Sequence, residues 1–224
     1  MLPLKRLGTA KSRLEHPGRA QLALAMATDT AAAAAAAGGD VVAGVLLVTN
    51  DPAASAAIAG RSAGGAGRDA EHAAGLAPVF AVPDLPDRGL NAALRHGARV
   101  AVRRWPGHGV AAMSADLAAL RPTELRAALL AAPLAGRAVL ADAAGTGTVL
   151  LCAAPGSALS PRFGEGSHAL HLRSGAVDLT GGLAATVPGL RRDVDTIADL
   201  AAVRLLGVGP ATSAALATAA ANAG

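Results

Sequence analysis

Short, wholly apolar runs alternate along this chain with stretches patterned for helix, and that alternation limits the fold more than any other feature. Val41–Val48 (VVAGVLLV), Pro78–Val82, Gly109–Met113 and Leu190–Val194 read as buried strands. Helices are expected after Pro17-Gly18, over residues 53–60, and over Gly89–Arg104, Pro122–Ala132, Gly166–Ser174 and Thr196–Leu206. Apolar runs of this length bounded by turn formers suit strands covered on both faces. Their alternation with helices suits a doubly wound α/β sheet, in which ligands gather at the carboxyl ends of strands. Arg137–Ala141 and Thr148–Ala153 read as paired strands around Asp142–Gly147. No internal repeat or long linker divides the chain, so one domain over residues 1–224 is expected. Only Met1–Leu4 remains for an opening strand, which therefore reads as shortened. The small-residue stretch 61–75 reads as a flexible connection, and the alanine-rich 211–224 as an end that frays.

Composition narrows what such a domain does. Alanine accounts for 61 of the 224 residues, and the aromatics are Phe80, Trp105 and Phe163 alone. A core must rest on Leu, Val and Ala, and nucleic-acid binding through stacked bases lacks its platforms. Of the 20 basic residues 18 are arginine, so the two lysines, Lys5 and Lys11, stand out six positions apart. Ammonium approaches a phosphate as a compact point charge, without the planar fork of arginine. The net charge of +4 favours anionic ligands, and with no basic run a nucleotide fits better than a nucleic acid. Cys152 is the single cysteine. No intramolecular disulfide can form, which points to a reducing, cytoplasmic compartment. Residues 1–39 imitate a signal peptide, but Asp29 interrupts the apolar part and alanine dominates it, so a helix is the better reading. No apolar run is long enough for a membrane span.

Several segments carry polar residues suited to chemistry. PLKRLGTAKSRL, residues 3–14, places both lysines in a Gly/Thr loop before a helix, a reasonable cradle for a polyphosphate, although neither a Walker loop nor G-x-G-x-x-G is present. Asp116 follows a buried strand directly, as a hard-cation ligand or as a helix cap. Asp193 and Asp195, at i and i+2 of an extended segment, project to one face while Val194 packs behind. Like charges so placed repel unless a cation separates them, which favours metal over Asp195 capping the Thr196 helix. Asp116, Asp193 and Asp195 together would suit Mg²⁺. Gly145-Thr146-Gly147-Thr148 joins two strands as an anion nest or a simple hairpin loop, and Phe163-Gly164-Glu165-Gly166-Ser167 leads into a helix with Ser167 as cap or phosphate ligand. In Gly89-Leu90-Asn91 the asparagine reads a purine edge or caps a helix. His168 and His171, three apart, read as surface residues of their helix, and Cys152 in an apolar strand as inert. No Ser/His/Asp assembly is apparent.

Taken in order and spacing, PLKRLGTAKSRL, DRGLNAAL, ADLAAL, ADAAGTGTVLL, PRFGEGSHALH and GLRRDVDTIADL resemble the phosphoenolpyruvate/2-phospho-L-lactate guanylyltransferases of coenzyme F-420 biosynthesis. The resemblance runs from Pro3 to about Thr212. It implies a Rossmann-like (GT-A-like) nucleotidyltransferase fold with a mostly parallel central sheet flanked by helices. It also implies GTP as donor, Mg²⁺ as metal and a small phosphorylated carboxylic acid as acceptor, phosphoenolpyruvate in the actinobacterial branch. Carried over by motif, Thr148, Gly164 and Ser167 would hold phosphoenolpyruvate, and Asp116, Asp193 and Asp195 the metal. Lys5 and Lys11 would serve the nucleotide, with Asp116 and Lys11 catalytic, and Gly89 and Asn91 would lie near the guanosine. A monomer or homodimer without nucleic-acid or membrane partners is expected. The alternatives are another nucleotidyltransferase of this fold, such as a molybdenum-cofactor guanylyltransferase whose L-A-G-G loop is missing here, or a non-catalytic nucleotide or metabolite sensor.

Overall fold

The computed structural model describes residues 1–8, 14, 16, 18–63 and 75–221. Lys11, His72 and most of the 61–75 connection lie outside the described residues. Three parallel strands, β1 (Leu2–Pro3), β2 (Val45–Val48) and β3 (Val79–Val82), form one sheet in the order β1-β2-β3. A second sheet has the order β4-β6-β5-β7, built from β4 (Val110–Met113), β5 (Arg137–Ala141), β6 (Thr148–Ala153) and β7 (Ala176–Asp178). The Met1 nitrogen donates to the Ala111 carbonyl at 2.6 Å and the Met113 N–H to the Met1 carbonyl at 3.0 Å, joining the two sheets edge to edge. β6 runs antiparallel to both β4 and β5, whereas β7 lies parallel to β5. The expected mostly parallel sheet is therefore observed, with β6 as its reversed member.

Helices α1 (Arg19–Ala35), α2 (Pro52–Ala63), α3 (Leu90–Arg104), α4 (Pro122–Ala131), α5 (Ser167–Arg173), α6 (Thr180–Leu183), α7 (Ile197–Leu206) and α8 (Pro210–Ala221) complete the chain. The pleat sends alternate side chains into different layers. Ala138, Leu140, Leu150 and Cys152 share a cluster with Ala27, Ala31 and Ala34 of α1 and Leu125 of α4. Val139, Leu151 and Ala153 share another with Leu94 of α3. The alanine excess thus supplies a methyl-lined helix face against a Leu/Val sheet.

Two expectations are corrected. Leu190–Val194 is not a strand. The Glu124 carboxylate accepts the Gly189 and Leu190 N–H groups at 3.1 and 2.8 Å, and the Arg191 carbonyl accepts the Ala143 N–H at 2.7 Å. Side chains and a loop take the bonds that a neighbouring strand would otherwise make; Leu190 and Val194 are fully enclosed, but Arg192 between them is exposed, so the every-other-residue burial of a strand is absent. The alanine-rich end is, over Pro210–Ala221, a docked helix: buried Asp29 of α1 accepts the Ala211 and Thr212 N–H groups at 3.0 and 2.7 Å. That carboxylate satisfies donors that every helix start leaves orphaned. No helix among the described residues is long and apolar enough to cross a membrane.

Candidate active site

The carboxyl ends of β1, β4 and β5 open onto a cleft of about 920 Å³. Reversal of β6 matters here, because its first residue, Thr148, comes to the same edge as the last residues of its neighbours. The cleft is lined by Lys5 beyond β1, Asp116 beyond β4, Thr148, the Gly164–Ser167 loop, and Asp193 and Asp195. The structure thus brings together the proposed metal carboxylates, the three proposed acid-binding residues and one of the two lysines.

The capping alternatives for the carboxylates fall away. The helix after Asp116 is capped at Arg121, with Pro122 in its first turn. Thr196 caps α7, its hydroxyl accepting from the Asp199 N–H, while Asp199 in turn accepts the Asp195 and Thr196 N–H groups at 3.2 and 2.8 Å. Asp193 and Asp195 are half-buried in the cleft wall with Val194 fully buried between them, so the one-face geometry persists without a strand. Among the described residues no group of three or more His, Cys, Asp or Glu side chains is placed to hold a metal ion, so Asp116, Asp193 and Asp195 share the cleft lining without converging as three ligands of one ion. Mg²⁺ keeps several waters and takes one or two carboxylates plus substrate phosphates, so open cleft carboxylates fit its chemistry better than a dedicated cage would.

Two loops are rigid for identifiable reasons. Asp142 accepts the Thr146 and Gly147 N–H groups, each at 3.0 Å. A Cβ at Gly147 would lie 2.3 Å from that carboxylate, so the residue must be glycine for the carboxylate to approach. The anion nest expected in Gly145–Thr148 is consequently filled by the chain's own carboxylate, and the loop offers a ligand hydroxyls instead of amides. Arg191 fastens the same loop to the acidic segment, its Nε donating to the Ala141 carbonyl at 3.0 Å and its Nη2 to the Asp142 carbonyl. The second loop needs glycine at 164, where φ is +138°. Gly166, not Ser167, caps α5, and Ser167 is 1% exposed at the first helical position.

Asn91 and Gly89 lie outside the cleft lining. The Asn91 amide clamps the second loop, donating to the Phe163 carbonyl at 2.9 Å and accepting its N–H at 2.8 Å. Gly89 caps α3 at φ +85°. On the opposite side Asp51 accepts the N–H groups of Leu7, Ala53 and Ala54, at 2.8, 3.0 and 3.0 Å, tying the loop after β1 to the start of α2. Burial alone would raise its pKa, yet these donors and nearby Arg6 hold it below the usual carboxylate range.

His171 is the residue the sequence misplaced. It is fully buried, not on the helix surface, with Nδ1 3.0 Å from the Thr148 hydroxyl and Nε2 accepting the Arg162 N–H at 2.9 Å. The Phe163 ring packs edge-on at 5.3 Å. Burial lowers the His171 pKa to about 4, helped by Arg137, Arg162 and His168 and opposed by the Ser167 backbone. No signal in the sequence distinguishes it from His168, which instead meets Asp178 at 3.2 Å. Cys152 is buried, and burial pushes its thiol up to about 12, which leaves it protonated.

No family model matches the chain. It is 56% identical over 220 residues to the phosphoenolpyruvate guanylyltransferase of Frankia casuarinae, covering 96% of this chain and 75% of that one. It is 48% identical over 231 residues to the phosphoenolpyruvate guanylyltransferase of Salinispora arenicola, covering 100% and 95%. A protein of the same name from Streptomyces scabiei is 48% identical over 225 residues, covering 97% and 94%. Among solved structures, one assigned as a nucleotide-diphospho-sugar transferase from Desulfovibrio desulfuricans G20 aligns over 98% of this chain and 94% of its own, at a TM-score of 0.56 and 17% identity. A nucleotidyl transferase from Methanothermobacter thermautotrophicus aligns over 91% and 94%, at 0.54 and 20%. Those two likenesses concern the fold alone. On the identity and coverage of the first three, the chain belongs to the phosphoenolpyruvate guanylyltransferase family.

Proposed function

We propose that this chain transfers the guanylyl group of GTP to the phosphate of phosphoenolpyruvate and releases pyrophosphate, as a cytoplasmic step in making coenzyme F-420. The observation that carries the reading is the cleft itself, where three carboxylates that cap no helix face a wall of buried hydroxyls. Family membership supplies the reaction class. A phosphate oxygen of the acid attacks the α-phosphorus of GTP, the bond to the bridging oxygen breaks, and pyrophosphate leaves. The chain then needs no nucleophile of its own, and its protonated, buried Cys152 is unsuited to be one.

Each wall has a part in this reading. Thr148 and Ser167 hydroxyls donate to the phosphate of the acid, and the open backbone at Gly164 lets it approach. Lys5 and, beyond the described residues, Lys11 meet the triphosphate with compact positive charge. Asp116, Asp193 and Asp195 would hold Mg²⁺, which when bound neutralises charge on the phosphates and lowers the barrier to in-line displacement. Positioning of two anions against each other is the main contribution of the chain, since each repels the other without such a frame.

The test is pyrophosphate release from purified protein with GTP, Mg²⁺ and phosphoenolpyruvate, omitting each in turn. Release that requires all three is the expected result, with 2-phospho-L-lactate and ATP as substitutes that measure selectivity. GTP binding without acid-dependent release would overturn the reading in favour of a sensor.

A further inference from the structure

The buried histidine on the hydroxyl wall has no part in the chemistry described so far, although its bonds lead directly to the cleft. Backbone N–H groups only donate, so the Arg162 N–H at 2.9 Å requires Nε2 to be the unprotonated nitrogen of the ring. In a neutral imidazole the proton then sits on Nδ1, which faces the Thr148 hydroxyl at 3.0 Å. Thr148 Oγ therefore accepts from His171, and its own proton must go elsewhere. Thr148 lines the cleft, so a ligand phosphate there is a candidate acceptor for that proton. Were the tautomer reversed, the Arg162 N–H would meet another N–H inside a fully buried site, and Thr148 would spend its proton on the ring.

We propose that His171 is a positioning residue that fixes the Thr148 hydroxyl as a hydrogen-bond donor toward the phosphate of the bound acid. The inference rests on the proposed function only in naming that acid. Its surroundings hold the arrangement in place. The Asn91 clamp sets Phe163, whose ring packs against His171. Arg137 bonds the Ser174 hydroxyl at 3.1 Å and its carbonyl, and the Ser174 hydroxyl donates to the His171 carbonyl at 2.8 Å, closing the last turn of α5. Arg137, Arg162 and His168 surround the ring with positive charge or the capacity for it, and so disfavour a second ring proton. A neutral ring of fixed tautomer is what a one-way donor relay requires.

The test combines direct phosphoenolpyruvate binding by calorimetry with steady-state kinetics on His171→Leu, His171→Asn, Thr148→Val and the double variant His171→Leu/Thr148→Val. Losing a hydrogen bond to a charged group weakens acid binding about ten-fold or more in His171→Leu, with the KM for GTP nearly unchanged. The amide of His171→Asn restores a donor near Nδ1 and recovers most of the loss. The double variant is no worse than Thr148→Val, because both changes break one relay. Equal losses for both substrates, additive losses in the double variant, or no loss in His171→Leu would each overturn the proposal. Should His171→Leu not fold, His171→Asn and the ¹⁵N shifts of the wild-type ring decide, and a protonated Nε2 contradicts it. If the wild type binds the acid in this manner yet releases no pyrophosphate, the reaction assignment fails and the relay stands.

Discussion

The hydroxyl wall of the cleft and the docking site of α8 on α1 both bury polar side chains, yet they use them to different ends. At the α8 dock, each oxygen of Asp29 receives a backbone N–H, and packing is so close that a Cβ at Gly209 would lie 2.3 Å from the carboxylate carbon. Both carboxylate oxygens are engaged by the chain itself, while the fully buried Thr212 hydroxyl beside them meets no partner among the described residues. On the cleft wall Asp142 is spent in the same manner on its own loop, but Thr148 is not, because its partner donates the hydrogen bond between them and leaves the hydroxyl its own hydrogen to donate. Saturated acids build the scaffold, and side chains with remaining capacity line the cleft. Asp116, Asp193 and Asp195 line the cleft, and neither following helix takes one of them as its N-cap.

That contrast predicts substitutions with opposite signatures. Asp193→Asn is nearly isosteric, and it should lower turnover by about 10³-fold or more through lost charge at the reacting phosphates, with the melting temperature unchanged. Near-normal turnover would move Asp193 into the scaffold class. A smaller effect comes from pH. His171 is held neutral when folded, at about 4 against an ordinary 6.5. The unfolded chain therefore takes up a proton first, and the stability this histidine contributes is present above pH 6.5 and lost as pH falls toward 4. The loss approaches about 3 kcal/mol at the acid end. Denaturant titrations of wild type and His171→Asn across that window should converge as pH falls, and parallel curves would contradict the shift. Smallest of the three, Asp29→Ala should cost about 2 kcal/mol by orphaning two helix-start donors, with kcat and both KM values unaltered. A change in KM would mean that the dock reaches the cleft.

Most of the fold was legible because apolar runs and turn residues report local structure faithfully. The hairpin of β5 and β6, the helix start at Pro122 and the helix end at Leu206 all fell where the sequence pattern placed them, while the cap of that last helix is Thr196 and not Asp195. Failures came where a distant side chain replaced a backbone partner. Glu124 holds residues 189–190 out of a strand, and Asp29 turns an expected loose end into a helix. β7 was missed since Ala176–Asp178 is three residues long and half exposed. In the cleft, the carboxylates were readable from spacing, and the face shared by Asp193 and Asp195 survived the loss of the strand that suggested it. The Asp142 occupancy of the supposed anion nest, the Arg191 staple and the burial of His171 were not readable, because each depends on contacts between segments far apart in sequence.

The central claim is that this chain positions two substrates and supplies no nucleophile. The stereochemical course at the α-phosphorus tests it most directly, using a single diastereomer of GTP in which sulfur replaces one non-bridging α-oxygen and so makes that phosphorus chiral, with phosphoenolpyruvate and Mg²⁺. Single in-line attack by the acid predicts inversion of configuration in the guanylylated product. Retention would require two displacements through a covalent guanylyl-enzyme and would contradict the account.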